Sequence, residues 1–118
     1  MKEGIVLFAH GSREPSWAEP FEQIARAVAS RCADVPVELA YLELMKPSLD
    51  EAIASLAAAG ARRVRIVPVF LGAGGHVRQD IPALVAAANP PVAVTIDAPI
   101  GEQSQVIEAI AEGIASPR

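Results

Sequence analysis

The chain contains two histidines, His10 and His76, and each follows a short apolar run that is typical of a buried β-strand. A carboxylate, Glu43, follows another such run. Two neutral imidazoles and a carboxylate are a ligand set suited to a borderline divalent cation such as Fe²⁺, Co²⁺, Ni²⁺ or Zn²⁺. No short motif such as His-x-His fixes their spacing, so these residues predict a metal site only if the fold brings them together.

The same three loops carry groups that suit a large anionic ligand. Because the net charge of the chain is −4, such a ligand has to meet a local cluster of cations. Gly74 and Gly75 let the chain turn sharply before His76 and leave room for a flat ligand close to the backbone. The other polar residues of these loops are Ser12, Arg13, Lys46 and Arg78.

Four β-branched runs alternate with stretches of helical period, a pattern typical of repeated βα units and a parallel sheet. We predict strands at Gly4–Ala9, Val35–Leu42, Val64–Leu71 and Val92–Ile96. The expected fold is therefore a single three-layer α/β domain with a four-stranded parallel sheet flanked by helices. Such sheets bind ligands at the carboxyl ends of their strands. With strand order 2-1-3-4, His10 and His76 would face one cleft with Glu43 beside them.

The second helix has the clearest boundaries in the sequence. Ser48 and Glu51 have the spacing of a capping box, in which each side chain bonds to the backbone N–H of the other residue. Gly60 is suited to the left-handed position that ends a helix. The residues of this helix that should face the core are Leu49, Ile53 and Leu56.

The other helices are predicted with less regular signals. Ser16 is the expected N-cap of the first helix, with Trp17 packing at its start. Asp80 and Pro82 should open the third helix, because proline is tolerated in a first turn. Pro68 cannot donate to a sheet ladder and belongs at an edge or a bulge. The last helix should carry one apolar face formed by Val106, Ile107, Ile110 and Ile114.

A chain of 118 residues has room for one domain, because single cores occupy about 100–150 residues. A hydrophobic content of 52% excludes disorder, and an acidic balance with 4% aromatics disfavours nucleic-acid binding. The apolar run 5–9 is too short for a signal peptide or membrane span. The single cysteine, Cys32, is interpreted as a buried small hydrophobe and allows no internal disulfide. We therefore expect a soluble cytoplasmic protein.

Less specific interpretations stay open for the same residues. His10 and His76 are each compatible with an ordinary loop or helix-start histidine. Glu43, Arg13 and Arg78 are compatible with solvated surface charges. The glycine cluster before the second histidine would also suit a phosphate at a helix N-terminus, but the chain lacks both Gly-x-Gly-x-x-Gly after its first strand and a P-loop motif.

Several segments together resemble the sirohydrochlorin chelatases of the CbiX/SirB type, a group within the class II chelatases. The resemblance covers nearly the whole chain, and the paired elements His-Gly-Ser-Arg and Asp-Ile-Pro are fairly specific. The segments that carry it are Val6–Arg13, Tyr41–Glu43, Pro68–His76, Asp80–Pro82 and Pro99–Gly101. The segment 101–104 departs from the family's pattern, so no substrate contact is assigned to it.

The resemblance implies an enzyme, a chelatase that inserts Co²⁺ or Fe²⁺, with Ni²⁺ as a further candidate, into sirohydrochlorin for cobalamin, siroheme or related porphyrin synthesis. In that family's pattern His10 and His76 bind the metal and are catalytic, and Glu43 assists. The metal is a substrate, and no tightly bound cofactor is expected. The residues placed to bind the tetrapyrrole and its carboxylates are Ser12, Arg13, Lys46, Gly74, Gly75 and Arg78.

Chelatases of this superfamily commonly have two α/β halves, so residues 1–118 resemble one half as a single domain. A C2 homodimer is therefore the expected assembly, with sirohydrochlorin and the metal ion as the other partners and neither nucleic acid nor membrane involved. Two alternatives stay open. One is a non-catalytic metal or tetrapyrrole carrier that uses the same histidine pair, and the other is a phosphoester hydrolase built on the turn at His10.

Overall fold

The computed structural model describes residues 2–72 and 79–117 with their side chains, and the backbone of residues 75–78. Within these residues the chain alternates strands and helices. The strands are β1 Glu3–Ala9, β2 Val37–Tyr41, β3 Arg63–Pro68 and β4 Ala93–Ile96. The helices are α1 Glu19–Arg31, α2 Leu49–Ala58, α3 Gly75–Ala88 and α4 Ser104–Ala115, with short 3₁₀ helices at Pro15–Ala18 and Ile100–Glu102.

The four strands form one parallel sheet in the order β2-β1-β3-β4, which confirms the predicted fold class and strand order. β1 lies inside the sheet, and Ile5 pairs with Val37 of β2 on one side and Arg65 of β3 on the other. Because all strands run the same way, they end at one edge. We call this the carboxyl edge; it holds the segments that follow the last residues of the four strands, Ala9, Tyr41, Pro68 and Ile96.

The larger core lies between the sheet and the helices α2 and α3. Phe8 and Ile66 are fully buried there against Ile53 of α2 and Ile81 of α3. The neighbouring residues of β1 are buried on the opposite face of the sheet. Burial on both faces explains why the first strand is a continuous apolar run rather than an alternating one.

The start and end of α2 are as predicted. The Ser48 hydroxyl accepts a hydrogen bond from the Glu51 N–H at 3.4 Å, and the Glu51 carboxylate accepts one from the Ser48 N–H at 2.9 Å. These reciprocal bonds confirm the capping box. Gly60, with φ of +101°, follows the end of the helix in the left-handed region.

Two predicted helix starts are wrong. Ser16 does not cap α1; it lies inside the first 3₁₀ helix, and α1 begins at Glu19 without a side-chain cap. α3 begins at Gly75, ahead of the predicted start at Asp80, and Pro82 lies exposed within the helix. A proline at that position removes one helical hydrogen bond. The neighbouring Ile81 is buried in the larger core, and this packing offsets the loss.

β3 ends at Pro68 rather than at the predicted Leu71. The N–H of Val69 donates to the Phe8 carbonyl at 2.8 Å, so the nitrogen of Pro68 faces the other side of the strand. On that side β4 has already ended at Ile96. An interior strand therefore accommodates the proline without losing a ladder hydrogen bond.

The opposite face of the sheet is covered less completely. A smaller cluster of Ile5, Leu7 and Val67 packs against α1. The predicted apolar face of α4 is present in the sequence of the helix, but its isoleucines are exposed. In the part of the chain that the structure describes, no helix is long and apolar enough to cross a membrane.

Candidate functional site

His10 and Glu43 lie side by side at the carboxyl edge. The pairing of β1 with β2 continues past the ends of both strands, since the N–H of Leu42 donates to the Ala9 carbonyl at 2.9 Å. The N–H of Glu43 then donates to the His10 carbonyl at 3.1 Å. Both side chains are exposed. The main chain therefore presents an imidazole and a carboxylate together to solvent, although no contact between the two side chains is present.

The close approach of these two loops depends on Gly11. Its φ is +96°, in the region that favours glycine. A Cβ at this position would overlap the carbonyl oxygen of Glu43. The glycine after His10 is thus the residue that lets the β1 loop and the β2 loop touch.

The imidazole of His10 lies against the ring of Phe70. The ring centroids are 4.4 Å apart and the planes are tilted by 33°. Phe70 is itself buried and is 6.3 Å from Phe8 between ring centroids. An offset aromatic contact of this kind contributes about 0.5–1.5 kcal/mol. Phe70 therefore holds the exposed histidine against the core, a role that sequence reasoning missed.

The backbone of Phe70 is in turn held by the segment after β4. The N–H of Gly101 donates to the Phe70 carbonyl at 2.9 Å. A Cβ on Gly101 would overlap the backbone of Leu71, so this position also requires a close approach. The only sequence signal for this support is the Pro99–Gly101 segment, which the family resemblance includes.

Lys46 is engaged in an exposed ion pair. Its ammonium lies 3.5 Å from the Glu51 carboxylate, and the side chains are 84% and 47% exposed. The loop that carries Lys46 returns to its own strand, because the Tyr41 N–H donates to the Pro47 carbonyl at 2.9 Å. An exposed pair of this kind contributes about 0–1 kcal/mol, so an anionic ligand can compete for the ammonium at little cost.

The carboxylates of α2 stay ionised beside this lysine. The hydrogen bond from the Ser48 side chain lowers the pKa of Asp50. Hydrogen bonds from the backbone N–H of Ser48, the larger effect, and from its hydroxyl lower the pKa of Glu51.

The pKa of Tyr41, the last residue of β2, is raised. The larger cause is desolvation by burial, and the smaller is the negative charge of Glu22.

Two further polar residues, Ser12 and Arg13, lie in the loop after β1 that carries His10. Arg13 is exposed. The hydroxyl of Ser12 accepts a hydrogen bond from the Glu14 N–H at 3.1 Å, so it already stabilises the turn after His10. These two residues lie on the same loop as the histidine, and their contact with a ligand stays a prediction.

Of the other predicted site residues, Gly74 and the side chains of His76 and Arg78 lie outside the described residues, and Gly75 is described through its backbone. The backbone of α3 begins at Gly75, shortly after β3 ends at the carboxyl edge. Among the residues described with side chains, no three of histidine, cysteine, aspartate and glutamate cluster as a metal site. The ligand set of His10, His76 and Glu43 therefore stays a prediction.

Of two further predictions, the packing of Trp17 is confirmed and the burial of Cys32 is wrong. Trp17 packs against Phe21, with ring centroids 4.5 Å apart, and lies 6.4 Å from Tyr41, which confirms a packing role. Cys32 was expected to be buried, and this is wrong: it is partly exposed where α1 ends, and its N–H donates to the Val28 carbonyl at 3.0 Å.

The fold and the carboxyl edge define the class of protein: a doubly wound α/β domain that presents a histidine and a carboxylate where such sheets bind ligands. Comparison with known families then identifies it. The sequence model of the CbiX family matches residues 4–116, and the chain belongs to this family.

Curated relatives carry the name sirohydrochlorin cobaltochelatase. The protein of Methanosarcina acetivorans is 40% identical over 85 residues, which are 72% of this chain and 65% of that protein. The protein of Saccharolobus solfataricus is 30% identical over 120 residues, covering 94% of this chain and 92% of that protein. The chain thus matches less than two thirds of the length of the first relative and nearly all of the second.

Solved structures share the fold. A CbiX protein of cobalamin biosynthesis from Marinobacter aquaeolei VT8 matches with a TM-score of 0.85 and 32% identity, over 95% of this chain and 93% of that one. The sirohydrochlorin chelatase SirB of Bacillus subtilis subspecies spizizenii, in complex with cobalt, matches with a TM-score of 0.77 and 26% identity. That match covers 97% of this chain and 50% of SirB. SirB from Bacillus subtilis with Fe³⁺ gives a TM-score of 0.78 at 27% identity.

Proposed function

We propose that this protein is a metal chelatase that inserts Co²⁺ or Fe²⁺ into sirohydrochlorin. The observation that carries the proposal is the position of His10, an exposed imidazole held on Phe70 beside Glu43 at the carboxyl edge of a CbiX-family fold. The names of the relatives and the metals in the SirB structures support it. A non-catalytic carrier has no support among those names.

The chemistry requires the ion to lose water and the macrocycle to lose two N–H protons as its four nitrogens bind the metal. Neutral imidazoles are suitable ligands for the incoming divalent ion, and we assign His10 and His76 to that role. We assign Glu43, which is next to His10 along the edge, to accept a proton from the macrocycle and pass it to solvent. The metal leaves in the product, so it acts as a substrate, and no tightly bound cofactor is needed; Ni²⁺ has the same ligand preferences.

The tetrapyrrole is a polycarboxylate, and a protein of net charge −4 needs local cations to bind it. The exposed guanidinium of Arg13 is one, and the ammonium of Lys46 becomes available if a substrate carboxylate replaces Glu51 as its partner. The remaining proposed contacts are Ser12, Gly74, Gly75 and Arg78. Arginine suits this role because its planar guanidinium binds a carboxylate through two parallel hydrogen bonds.

We also propose that residues 1–118 form one chelatase domain that works as a homodimer in the cytoplasm, for cobalamin or siroheme synthesis. The match to 50% of the SirB chain supports the dimer, because a protein with two such units has about twice this length. A free cysteine is consistent with a reducing compartment. Tetrapyrrole and metal would then bind between two carboxyl edges.

The test is metal insertion followed by the absorption spectrum of sirohydrochlorin, with Co²⁺, Fe²⁺ or Ni²⁺ and against an enzyme-free control. We expect His10→Ala to slow insertion at least about a hundredfold, the loss typical of a group that transfers protons or holds a reactant. Arg63→Ala is the matched control, because Arg63 is exposed at the opposite edge of the sheet. Normal turnover by His10→Ala would overturn the assignment. Stoichiometric metal binding without turnover by the wild type would instead identify a carrier.

A further inference from the structure

Two large apolar side chains lie exposed at the carboxyl edge, each directly after a residue of the candidate site. Leu44 follows Glu43 and is 58% exposed, and Leu71 follows Phe70 and is 74% exposed. Outside α4 they are the most exposed large apolar side chains of the described residues. A single exposed leucine is ordinary on a protein surface, but two beside one site indicate a surface suited to an apolar ligand.

The strand order places the two leucines on opposite sides of His10. β1 lies between β2 and β3, so the segment after β2 runs along one side of the histidine and the segment after β3 along the other. The N–H of Glu43 donates to the His10 carbonyl on the first side, and the ring of Phe70 contacts the imidazole on the second. Because neighbouring strands are about 4.8 Å apart, Leu44 and Leu71 belong to segments separated by about 10 Å across the histidine.

The backbone of both leucines is constrained although their side chains are exposed. Leu44 has φ of +68°, in the left-handed region that is unfavourable for a bulky residue and that glycine or asparagine adopts more readily. Leu71 lies so close to Gly101 that a Cβ on the glycine would overlap the leucine backbone. Backbone strain of this kind is concentrated at ligand-binding and catalytic sites. The leucines are therefore held in an exposed position at some cost to the fold.

The substrate of the proposed function needs a surface of this kind. A tetrapyrrole polycarboxylate has charges at its periphery, which suit the exposed cations of Arg13 and Lys46. The face of its macrocycle is flat and apolar, and apolar side chains are the partners that remove such a face from water. The separation of about 10 Å between the two segments is close to the width of the ring.

We propose that Leu44 and Leu71 contact the face of the macrocycle on either side of His10 and so position the tetrapyrrole above the imidazole. The inference rests on the proposed function, because that function supplies the tetrapyrrole. The leucines determine affinity for the apolar ring, while the neighbouring cations bind its carboxylates. The contact is the same before and during metal insertion, so it lowers the KM for the tetrapyrrole and leaves kcat unchanged.

The test is the binding of metal-free sirohydrochlorin, followed by its absorption spectrum, to variants in which glutamine replaces each leucine. Burying the exposed part of a leucine corresponds to about a 5–30-fold gain in affinity. We therefore expect Leu44→Gln and Leu71→Gln each to raise Kd and KM for sirohydrochlorin by that factor, with kcat and Co²⁺ affinity unchanged. Leu84→Gln is the matched control, because Leu84 is an exposed leucine about 13 Å along α3 from its first residue.

Salt distinguishes the apolar contact from the ion pairs around it. High salt screens bonds between exposed cations and carboxylates, so the loss of affinity in Lys46→Ala should become smaller as salt is added. The loss in the two glutamine variants should be the same at low and high salt. Leu71→Met keeps an apolar group of similar volume and should bind sirohydrochlorin as the wild type does. Circular dichroism shows whether each variant stays folded.

Unchanged Kd in either glutamine variant, or an equal rise in Leu84→Gln, would overturn the proposal. If the glutamine variants changed the mass in sedimentation and left Kd unchanged, the leucines would belong to a contact between copies, which also overturns it. In these cases the wild type still inserts metal, so the result differs from failure of the chelatase proposal, in which the wild type inserts none. A wild type that binds no sirohydrochlorin would overturn both.

Discussion

Phe70→Leu should weaken metal binding at His10 without unfolding the protein. The ring of Phe70 supports the imidazole at a centroid distance of 4.4 Å while its other contacts lie in the core. Leucine keeps an apolar group at this buried position but removes the flat surface on which the imidazole rests. The histidine would then have to become ordered when the metal binds, and that ordering lowers the affinity.

The expected loss of metal affinity follows from the energy of the contact between His10 and Phe70. An aromatic pair at this distance contributes about 0.5–1.5 kcal/mol, which corresponds to an affinity loss of about 2–12-fold. The core should lose about 1–2 kcal/mol of unfolding free energy, less than the 3–5 kcal/mol of a truncation to alanine. The substitution is therefore expected to lower both affinity and stability, and the two effects must be separated.

The control variant Phe8→Leu separates the loss of metal affinity from the loss of stability. Phe8 is buried like Phe70 and lies 6.3 Å from it between ring centroids, while the ring that packs against His10 is that of Phe70. Both variants should shift the urea midpoint by similar amounts. Only Phe70→Leu should weaken Co²⁺ binding measured by calorimetry. Equal Co²⁺ affinities of the two variants, or unchanged affinity in Phe70→Leu, would refute the idea that the ring positions the histidine.

Two further predictions concern the loops around the site. Gly11→Ala should lower the free energy of unfolding by at least about 1–3 kcal/mol, measured by urea denaturation, because the residue has φ of +96° and a Cβ would overlap the Glu43 carbonyl. Gly72→Ala is the control, since a Cβ there meets no described atom within 4 Å. The bonds from Ser48 lower the pKa of Glu51 from its ordinary 4.5, so the unfolded chain binds more protons as the solution is acidified. That stabilisation is present at neutral pH and is lost as pH falls through the lowered pKa, so the urea midpoint of Glu51→Gln should fall less steeply with acid than the wild type's. If the urea midpoints of the wild type and of Glu51→Gln fell equally with acid, this cap would contribute no pH-dependent stability.

The site is connected to α4 through one segment of the chain. Gly101 holds the backbone of Phe70, and the same segment leads into α4. Phe70 in turn supports the imidazole of His10. The segment 99–101 is therefore part of the support behind the histidine.

Local patterns in the sequence were sufficient for most of the fold. The four β-branched runs predicted the strands, and right-handed crossovers between parallel strands left few orders to consider. The capping box at Ser48 and the glycine at Gly60 located α2 because those signals are confined to a few adjacent residues. Where tertiary packing competes with local preference, prediction failed: α3 begins at Gly75, ahead of the expected start, and Pro82 lies inside the helix next to the buried Ile81.

The order of elements along the chain also indicated which residues reach the carboxyl edge, because a residue that follows a strand lies where that strand ends. It placed His10 and Glu43 in neighbouring loops, and the backbone bond between them agrees. The packing that supports these two side chains became visible in the folded structure. The ring of Phe70 under His10 and the contact of Gly11 with Glu43 join residues far apart in the chain. Such contacts depend on distances of a few tenths of an ångström between packed elements, and periodicity contains no information about those distances.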